Sequence, residues 1–402
     1  MTRGLCLTAL VISVLLAGGA SAADKQYGPG ATDTAVKIGQ TMPYSGPASG
    51  YASVGLTEQA YYKLINEQGG VNGRKIELIS LDDGYSPPKT VEQTRRLVES
   101  DGVLAVVGAL GTAPNTAIHK YLESKKVPHI FISSGATKWG DPKRFPWTMG
   151  WQPNYQTEAR IYARYILQHV PNAKIGVLYQ NDDYGKDYLV GFRDGLGERA
   201  DKMIVKVESY EVNDPTVDSQ IVSLQASGAD LFFNVATPKF SAMAIRKAWD
   251  IGWRPVQIVN SVGSSTGAAM KPAGFERTQG IISAHYQKDA TDPRWKNDPG
   301  MQDFLAFMAK YVPNVDVADS GSYSGYNIAR TFVAVLKQCG DDLTRENIMR
   351  QAANLHDLEL PMLLPGIKVN TSPTNFYPVN EMQLVRFEGD GWVLFGDVIS
   401  GM

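Results

Sequence analysis

The feature that most constrains this fold is an alternation of strand and helix patterns that runs through most of the chain. Short apolar runs predict strands, and apolar residues at helical spacing, such as Leu56, Ala60 and Leu64, predict helices between them. Strands that alternate with helices of this length are typical of parallel sheets. The alternation occurs in two sets, before and after Trp151, and therefore predicts an α/β fold with two similar lobes.

The predicted strands are 36–42, 76–81, 103–107 and 127–132 in the first set and 173–179, 202–210, 230–235 and 255–260 in the second. The predicted helices include 87–99, which starts at Ser86-Pro87, and 117–124, 156–169, 184–199, 214–227 and 241–251.

The last third of the chain has a different pattern. It predicts a strand at 280–286, three helices at 299–311, 322–338 and 344–354, and a closing hairpin around Gly389-Asp390-Gly391. A strand followed by several helices does not form a third α/β lobe by itself. This part is expected to complete the two lobes.

The first two dozen residues have the composition of an export signal. Arg3 supplies a positive charge, residues 5–16 are apolar, and Ala20-Ser21-Ala22 is a small-residue cleavage site. The apolar run is shorter than the roughly 20 residues that span a bilayer. We therefore predict a signal peptide at 1–22, cleavage near Ala22/Ala23 and an exported protein without direct membrane insertion. Cys339 would be its sole cysteine, and its place at the end of an apolar helix pattern predicts a buried, inert thiol.

Charge and motif content exclude several function classes. The chain has 39 basic and 41 acidic residues, which gives no basic surface for nucleic acid. The five histidines lack metal-ligand spacing, so no metal is predicted. The loop that begins at Gly108 lacks the lysine of a phosphate-binding P-loop, and no cofactor is predicted.

Two loops of the first set occupy the position where open α/β sheets bind ligands, beyond the carboxyl ends of strands. The first loop, Gly108-Ala-Leu-Gly-Thr-Ala-Pro-Asn115, is small and leads into a helix. Main-chain N–H groups and a hydroxyl at such a place can hold a carboxylate. The second loop, Ser133-Ser-Gly-Ala-Thr137, is also small and would let a ligand approach the backbone. Together the two loops favour a carboxylate site.

Ordered motifs in the first 85 residues resemble a known family. Ser45-Gly46-Pro47 follows a strand, Gly69-Gly-Val-Asn-Gly73 follows the next helix, and Asp82-Asp83 ends the second strand. This order resembles the amino-terminal lobe of the branched-chain amino-acid-binding, Leu/Ile/Val-binding-like, type I periplasmic solute-binding proteins of ABC importers. The resemblance is closest over residues 34–264.

The resemblance implies an architecture and a partner. It implies two Rossmann-like lobes with parallel central sheets joined by a three-stranded hinge, with crossings near 150–153, near 283–285 and between 360 and 380. Lobe 1 would comprise 23–152 plus 283–360, and lobe 2 would comprise 153–282 plus 361–402. It also implies a monomer that is not an enzyme, closes on a small-molecule carboxylate ligand and delivers it to a membrane permease.

The resemblance also implies ligand-binding residues. The family holds the ligand carboxylate with a Ser or Thr in the first loop and an Ala-Ala-Thr in the second, and it places tyrosines against the ligand. A family disulfide has Tyr85 and Gly111 at its two positions here, so this wall of the cleft would be held by packing alone. The residues at the matching or neighbouring positions are Thr112, Gly111, Gly135, Ala136, Thr137, Tyr184, Tyr51, Tyr85 and Thr237.

One departure from the family bears on the ligand. The amino-acid binders use an acidic residue after the strand at 255–260 to pair with the ligand ammonium, and Val262 stands there in this chain. A buried ammonium without a partner is costly. Asp182 or Asp183 could substitute from another loop. We expect an aromatic or branched acid rather than an α-amino acid.

Two alternatives remain open from the sequence. The same clamp could be a sensor that reports to a chemoreceptor or a kinase. The run Gly263-Ser264-Ser265-Thr266-Gly267 matches G-x-S-x-G, so an exported serine hydrolase that uses Ser265 with His285 or His356 is a remote alternative.

Overall fold

The computed structural model describes residues 25–400. The predicted signal peptide and its cleavage site lie outside these residues. The strands are β1 Gln26–Tyr27, β2 Ala35–Met42, β3 Lys75–Asp82, β4 Val106–Val107, β5 His129–Ile132, β6 Thr148–Gly150, β7 Ile175–Gln180, β8 Ile204–Tyr210, β9 Leu231–Val235, β10 Val256–Val259, β11 Ile282–His285, β12 Asp342–Leu343, β13 Glu381–Glu388 and β14 Gly391–Ser400. The helices are α1 Ala52–Glu67, α2 Pro87–Arg95, α3 Thr112–Ser124, α4 Tyr155–His169, α5 Asp183–Leu196, α6 Ala200–Met203, α7 Asp218–Ala226, α8 Pro238–Asp250, α9 Lys271–Ala273, α10 Phe275–Thr278, α11 Pro299–Tyr311, α12 Ser320–Cys339 and α13 Arg345–Ala352.

Two central sheets organise the molecule. The first has the order β3-β2-β4-β5-β6 and is parallel throughout. The second has the order β8-β7-β9-β10-β11-β13-β14 and is parallel except for β13 and β14. Parallel strands covered on both faces are expected to be continuously apolar, and β5 and β9 are buried at every residue. The predicted α/β fold with parallel sheets and the closing hairpin are confirmed.

The chain passes between the two sheets after β6 and again after β11. β6 ends the first sheet at Gly150, and α4 then packs on the second, where the rings of Tyr162 and Phe233 of β9 lie 5.6 Å apart. β11 spans the predicted boundary at residue 283 but pairs within the second sheet, so the chain leaves that sheet after His285. The main chain of Lys288 then donates to Met362, and Leu364 donates to Tyr286, so two connecting segments lie side by side.

Local contacts explain the motif residues at the two ends of β3. In the Gly-Val-Asn-Gly turn, the main-chain groups of Val71 and Arg74 exchange hydrogen bonds of 2.8 and 2.9 Å. Gly70 has φ +79°, and a Cβ there would lie 2.1 Å from the Arg74 carbonyl oxygen, which explains the glycine. The Ser45 main chain and hydroxyl donate to the Asp82 carboxylate at 3.0 and 2.6 Å, which ties the Ser-Gly-Pro loop to the end of β3.

Some element ends differ from the prediction. The helix predicted from Asp214 starts at Asp218, because the Asp214 carboxylate accepts the Glu211 N–H and closes a turn before Pro215. The helix predicted from residue 117 starts earlier, at Thr112. Cys339 is a buried free thiol, as predicted, and burial raises its pKa to about 12.

Candidate functional site

A cavity lies between the two sheets, beyond the carboxyl ends of their strands. The space open to the centres of water-sized atoms is about 100 Å³, and about 10–15 Å³ of such space holds one water molecule. The cavity therefore admits a small organic ligand. Seven of the ten residues predicted from the sequence line it, namely Tyr51, Tyr85, Gly111, Thr112, Tyr184, Thr237 and Val262.

The first cleft loop presents the start of α3 to the cavity. Gly111 is the residue before the helix and supplies no side-chain cap. Asn115 fixes the loop, because its side-chain amide donates to the carbonyls of Ala109 at 3.1 Å and Gly111 at 2.6 Å. Within residues 25–400, the main-chain N–H groups of Thr112 and Ala113 have no hydrogen-bond partner. Unpaired N–H groups at a helix start attract an anion.

The Thr112 hydroxyl belongs to a short chain of polar groups. Its Oγ1 lies 2.7 Å from the Ser134 Oγ, which in turn accepts the Trp139 indole N–H at 3.0 Å. The Tyr155 hydroxyl also lies within hydrogen-bond reach of the Thr112 and Ser134 hydroxyls, so Thr112, Ser134 and Tyr155 form one polar network at the cavity. Trp139 itself is 1% exposed and does not line the cavity.

Tyr85 and Gly111 form one wall of the cavity together. Tyr85 has φ +59°, a conformation that side chains rarely adopt. The Asp83 carboxylate accepts the Tyr85 N–H at 2.8 Å and the Thr90 hydroxyl at 2.8 Å, and so holds this turn. A Cβ on Gly111 would lie 2.5 Å from the Tyr85 ring, so the absence of a side chain allows this contact. Packing joins the two positions where the family has a disulfide.

The facing wall, on the side of the second sheet, is aromatic. The Tyr184 and Tyr155 rings lie 5.2 Å apart in an edge-to-face arrangement, and both line the cavity. The Tyr184 hydroxyl lies 2.7 Å from the side-chain amide of Asn260. With the amide oxygen turned toward Tyr184, the amide nitrogen donates to two carbonyls at 3.2 Å. The hydroxyl is therefore engaged by the protein, and the ring is the part of Tyr184 offered to a ligand.

The loop that carries Val262 is fixed by a buried carboxylate. Glu158 accepts hydrogen bonds from the main chain and hydroxyl of Ser261 at 2.6 and 2.7 Å. It also accepts the hydroxyls of Tyr162 at 2.6 Å and Tyr188 at 2.8 Å. Burial raises the pKa of Glu158, and these hydrogen bonds oppose that rise. Glu158 positions the loop and does not itself line the cavity.

The structure does not bring Gly135, Ala136 and Thr137 into the cavity lining. The Thr137 N–H and hydroxyl instead donate to the Asp187 carboxylate on α5, at 2.7 and 2.8 Å. A Cβ on Gly135 would lie 2.3 Å from the Pro153 carbonyl oxygen. The second cleft loop thus packs against Pro153 and against α5, on the side of the second sheet.

Asp182 and Asp183, the possible partners of an ammonium, also lie outside the lining. Asp182 caps α5 by accepting the N–H groups of Tyr184 and Gly185. Asp183 pairs with Lys138 at 2.7 Å at the rim between the two lobes.

Sequence reasoning missed a polar group of cavity residues from the last third of the chain. Four of them are Gln287 and Asp289, which follow β11, and Asp319 and Ser324 at the start of α12. A signal was present, because chain that leaves the end of a parallel strand is a common ligand position. The loop before α12 has no neighbouring strand pattern, so only the packing of α12 on α1 brings it to the cavity.

The groups required by the hydrolase alternative do not assemble around Ser265. Its hydroxyl oxygen accepts the N–H groups of Ala268 and Ser320 and lies 3.3 Å from the Asp319 carboxylate. His285 lies 2.9 Å from the hydroxyl of Ser264 instead. Since that hydroxyl donates to the Ser261 carbonyl at 2.8 Å, His285 is the donor in this contact and not a base. Burial lowers the pKa of His285 to about 4.

The comparisons with known proteins agree with this geometry. Residues 35–391 match the family model described as periplasmic binding protein. The chain is 26% identical over 324 residues to Leu/Ile/Val-binding protein homolog 7 of Brucella suis biovar 1 (strain 1330), covering 76% of this chain and 75% of that protein. It is 23% identical over 291 residues to Leu/Ile/Val-binding protein homolog 8 of Brucella abortus (strain 2308), covering 69% of this chain and 70% of that protein.

Solved structures share the whole fold. A branched chain amino acid ABC transporter from Thermus thermophilus with bound valine has a TM-score of 0.82 at 15% identity, covering 91% of this chain and 97% of that one. A fatty acid ABC transporter substrate-binding protein from Thermomonospora curvata has a TM-score of 0.77 at 22% identity, covering 94% and 95%.

The chain therefore belongs to the periplasmic binding protein family, and its fold is the two-lobed type I fold of that family. The resemblance to the Leu/Ile/Val-binding type is confirmed. Among residues 25–400, no helix combines the length and apolar character that a membrane crossing requires.

Proposed function

We propose that this protein is the solute-binding subunit of an ABC importer and captures a small carboxylate for delivery to the permease. Two solved proteins of the same fold are a fatty acid ABC transporter substrate-binding protein and a branched chain amino acid ABC transporter. An aromatic or branched acid is favoured over an α-amino acid. We expect the protein to act as a monomer in the periplasm.

The single observation that carries the proposal is the unpaired start of α3 at the cavity wall. The Thr112 N–H and hydroxyl lie at the cavity lining and offer two donors to one carboxylate, and the unpaired Ala113 N–H follows at the same helix start. Charge-assisted hydrogen bonds of this kind are about twice as strong as neutral ones. Gly111 keeps this approach open because it lacks a side chain.

The body of the ligand would lie against tyrosine rings. Tyr51 and Tyr85 come from the first lobe, and Tyr155 and Tyr184 are carried by α4 and α5. Val262 and Thr237 are the residues where family members carry an acidic residue and a tyrosine. With no carboxylate at Val262, an α-ammonium would lack its family partner.

Closure of the two lobes would trap the ligand. In the structure, Thr137 contacts Asp187 and Lys138 contacts Asp183 across the lobes. We assign the second cleft loop to this closed contact and the first loop to the ligand. The proposed lobes are 23–152 plus 283–360 and 153–282 plus 361–402, with the adjustment that β11 stays with lobe 2. A ligand that touches both lobes only when they are closed shifts the balance toward the closed form.

The test is a thermal-shift screen on protein that has been unfolded and refolded to remove carried-over ligand. The panel holds aromatic acids, branched aliphatic acids, the α-amino acids leucine and valine, and simple amides. Ligand at 100-fold over its dissociation constant adds about 2.7 kcal/mol to the stability. Stabilisation by an aromatic or branched acid but not by leucine supports the proposal. Stabilisation by leucine or valine alone would contradict the preference for an acid without an α-amino group.

A further inference from the structure

We propose that the end of the cavity formed by Gln287, Asp289 and Asp319 is a second polar subsite, which selects solutes that carry a hydrogen-bond donor, an amine above all, at the end remote from the carboxylate. This inference rests on the proposed function, because it assigns the other end of the same ligand. The subsite lies on elements that sequence reasoning did not connect with binding.

The charged side chains that line the cavity determine the sign of its net charge. Asp289 and Asp319 carry the two carboxylates among the lining residues, and Lys288 carries the one lysine amine. The Lys288 ammonium is already paired, since it donates to the Asp298 carboxylate at 2.8 Å and lies over the Trp295 ring. Two carboxylates therefore face the cavity without a cation from the protein lining to balance them. A second carboxylate on the ligand would be repelled here.

Asp289 and Asp319 differ in the hydrogen bonds that their carboxylates accept from the protein. Asp289 accepts from the Thr266 hydroxyl at 2.6 Å and from the N–H and hydroxyl of Thr291 at 2.8 and 2.7 Å. The Tyr323 hydroxyl lies 3.4 Å from Oδ1, which already accepts both Thr291 groups, so four protein donors surround this carboxylate and, among residues 25–400, only Thr266 donates to its Oδ2.

Asp319 retains acceptor capacity. It accepts from the Gly321 N–H at 3.0 Å and the Ser265 hydroxyl at 3.3 Å, and the Ser53 hydroxyl also lies close. A carboxylate offers about four acceptor positions. Burial raises the pKa of Asp319, and a cationic partner would stabilise its ionised form. Asp319 is therefore the direct acceptor, and Asp289 contributes a fixed charge beside it.

Gln287 gives an independent sign of a missing partner. It is 9% exposed and lines the cavity. Its Oε1 accepts the Ser324 hydroxyl at 3.2 Å, whereas its buried Nε2 has no partner within residues 25–400. Buried amides rarely stay half-paired in folded proteins, so a bound group is expected beside it. A hydroxyl or a carbonyl oxygen of the ligand suits Nε2, and an amine suits Asp319.

The experiment measures dissociation constants by calorimetry for two matched sets of probes on stripped protein. One set is benzoate, 4-hydroxybenzoate, 4-(aminomethyl)benzoate and terephthalate. The other is hexanoate, 6-aminohexanoate and adipate. In at least one set, the amine should bind about tenfold more tightly than the unsubstituted acid, as expected for one charge-assisted hydrogen bond. The diacid of that set should bind most weakly.

The variant that tests the assignment is Asp319→Asn, because asparagine keeps the cap on the Gly321 N–H but removes the charge. It should bring the amine and the unsubstituted acid to similar affinities and should weaken the rejection of the diacid. Asp316→Asn is the matched control. Asp316 lies three residues earlier and also accepts a main-chain N–H, from Ala318, but is 51% exposed and outside the lining.

The outcomes separate the two proposals. If unsubstituted acids bind as tightly as their amines in both sets, or if a diacid binds best, the second subsite is refuted while the carboxylate function stands. If no acid of either set and none of the panel above binds, the proposed function fails and this inference fails with it. Should Asp319→Asn not fold, the wild-type ranking within each set still decides. An amine preference that persists unchanged in folded Asp319→Asn refutes the role of Asp319.

Discussion

The two cleft loops of the first lobe look alike in sequence and differ in the structure. Both follow a strand of the first sheet, and both are rich in Gly and Ala with a Ser or Thr hydroxyl. The first, 108–115, lines the cavity and presents the start of α3. The second, 133–137, contributes Ser133 to the lining but uses Gly135 and Thr137 to meet Pro153 and Asp187. Small residues permit close approach, and the approaching group can be a ligand or the rest of the protein.

The largest effect is expected where the first loop is fixed from behind. Asn115→Leu removes the two amide hydrogen bonds to the loop carbonyls and leaves His129 without its 2.7 Å partner. Each buried polar group left unpaired costs about 1–3 kcal/mol, so the free energy of unfolding should fall by about 3 kcal/mol or more. Urea unfolding measures it. The control is Asn354→Leu, since Asn354 is exposed, and a loss of similar size there would show that the effect is not specific to the loop.

A smaller loss of stability is expected in the second loop. Gly135→Ala places a Cβ 2.3 Å from the Pro153 carbonyl and 2.7 Å from the Tyr155 ring. Overpacking of this kind costs about 1–3 kcal/mol. The matched control is Gly391→Ala, where the nearest atom to a Cβ is 3.6 Å away. Equal unfolding free energies for the two variants would show that the second loop is not closely packed.

Two threonine substitutions divide the loops by their effect on the ligand. Thr112→Val should weaken binding of an acid ligand by about 1–3 kcal/mol, because a hydrogen bond to a charged group is lost. Thr137→Val should act through the contacts of its hydroxyl with Asp187 and Asn154, so its effect should fall in an Asp187→Ala background, where no carboxylate or amide oxygen replaces the acceptor. Calorimetry on the single and double variants gives the coupling. A Thr137→Val effect of unchanged size in that background would indicate that Thr137 contacts the ligand directly.

The smallest effect is expected at the rim, where Lys138 pairs with Asp183. Asp183 is about half exposed, so this pair contributes about 0.2–1 kcal/mol to the closed form. The Lys138 hydrogen bond lowers the pKa of Asp183 below its usual value. The contribution is therefore complete above the ordinary aspartate pKa and is lost as pH falls through the lowered pKa. In Asp183→Asn this part of the acid dependence of ligand affinity should disappear. In the wild type, added salt should reduce the same acid dependence, because salt screens the pair. An acid dependence that is identical in the variant and the wild type would exclude the pair as its source.

The sequence by itself determined the fold class. Short apolar runs that alternate with segments of helical periodicity predict parallel α/β lobes without reference to distant residues. It also located Tyr51, Tyr85, Thr112, Tyr184 and Val262, because strand ends and helix starts are local features and the chain order matched a known family. These residues all line the cavity.

Only the tertiary structure decided what lies opposite each loop. No local pattern states that Gly135 meets Pro153, or that α12 packs on α1 and carries Asp319 to the cavity. Such contacts join residues far apart in the chain, and their positions depend on how helices pack and where the chain crosses between lobes. The physical reason is that periodicity reports which face of an element is buried, whereas a binding site depends on which faces meet.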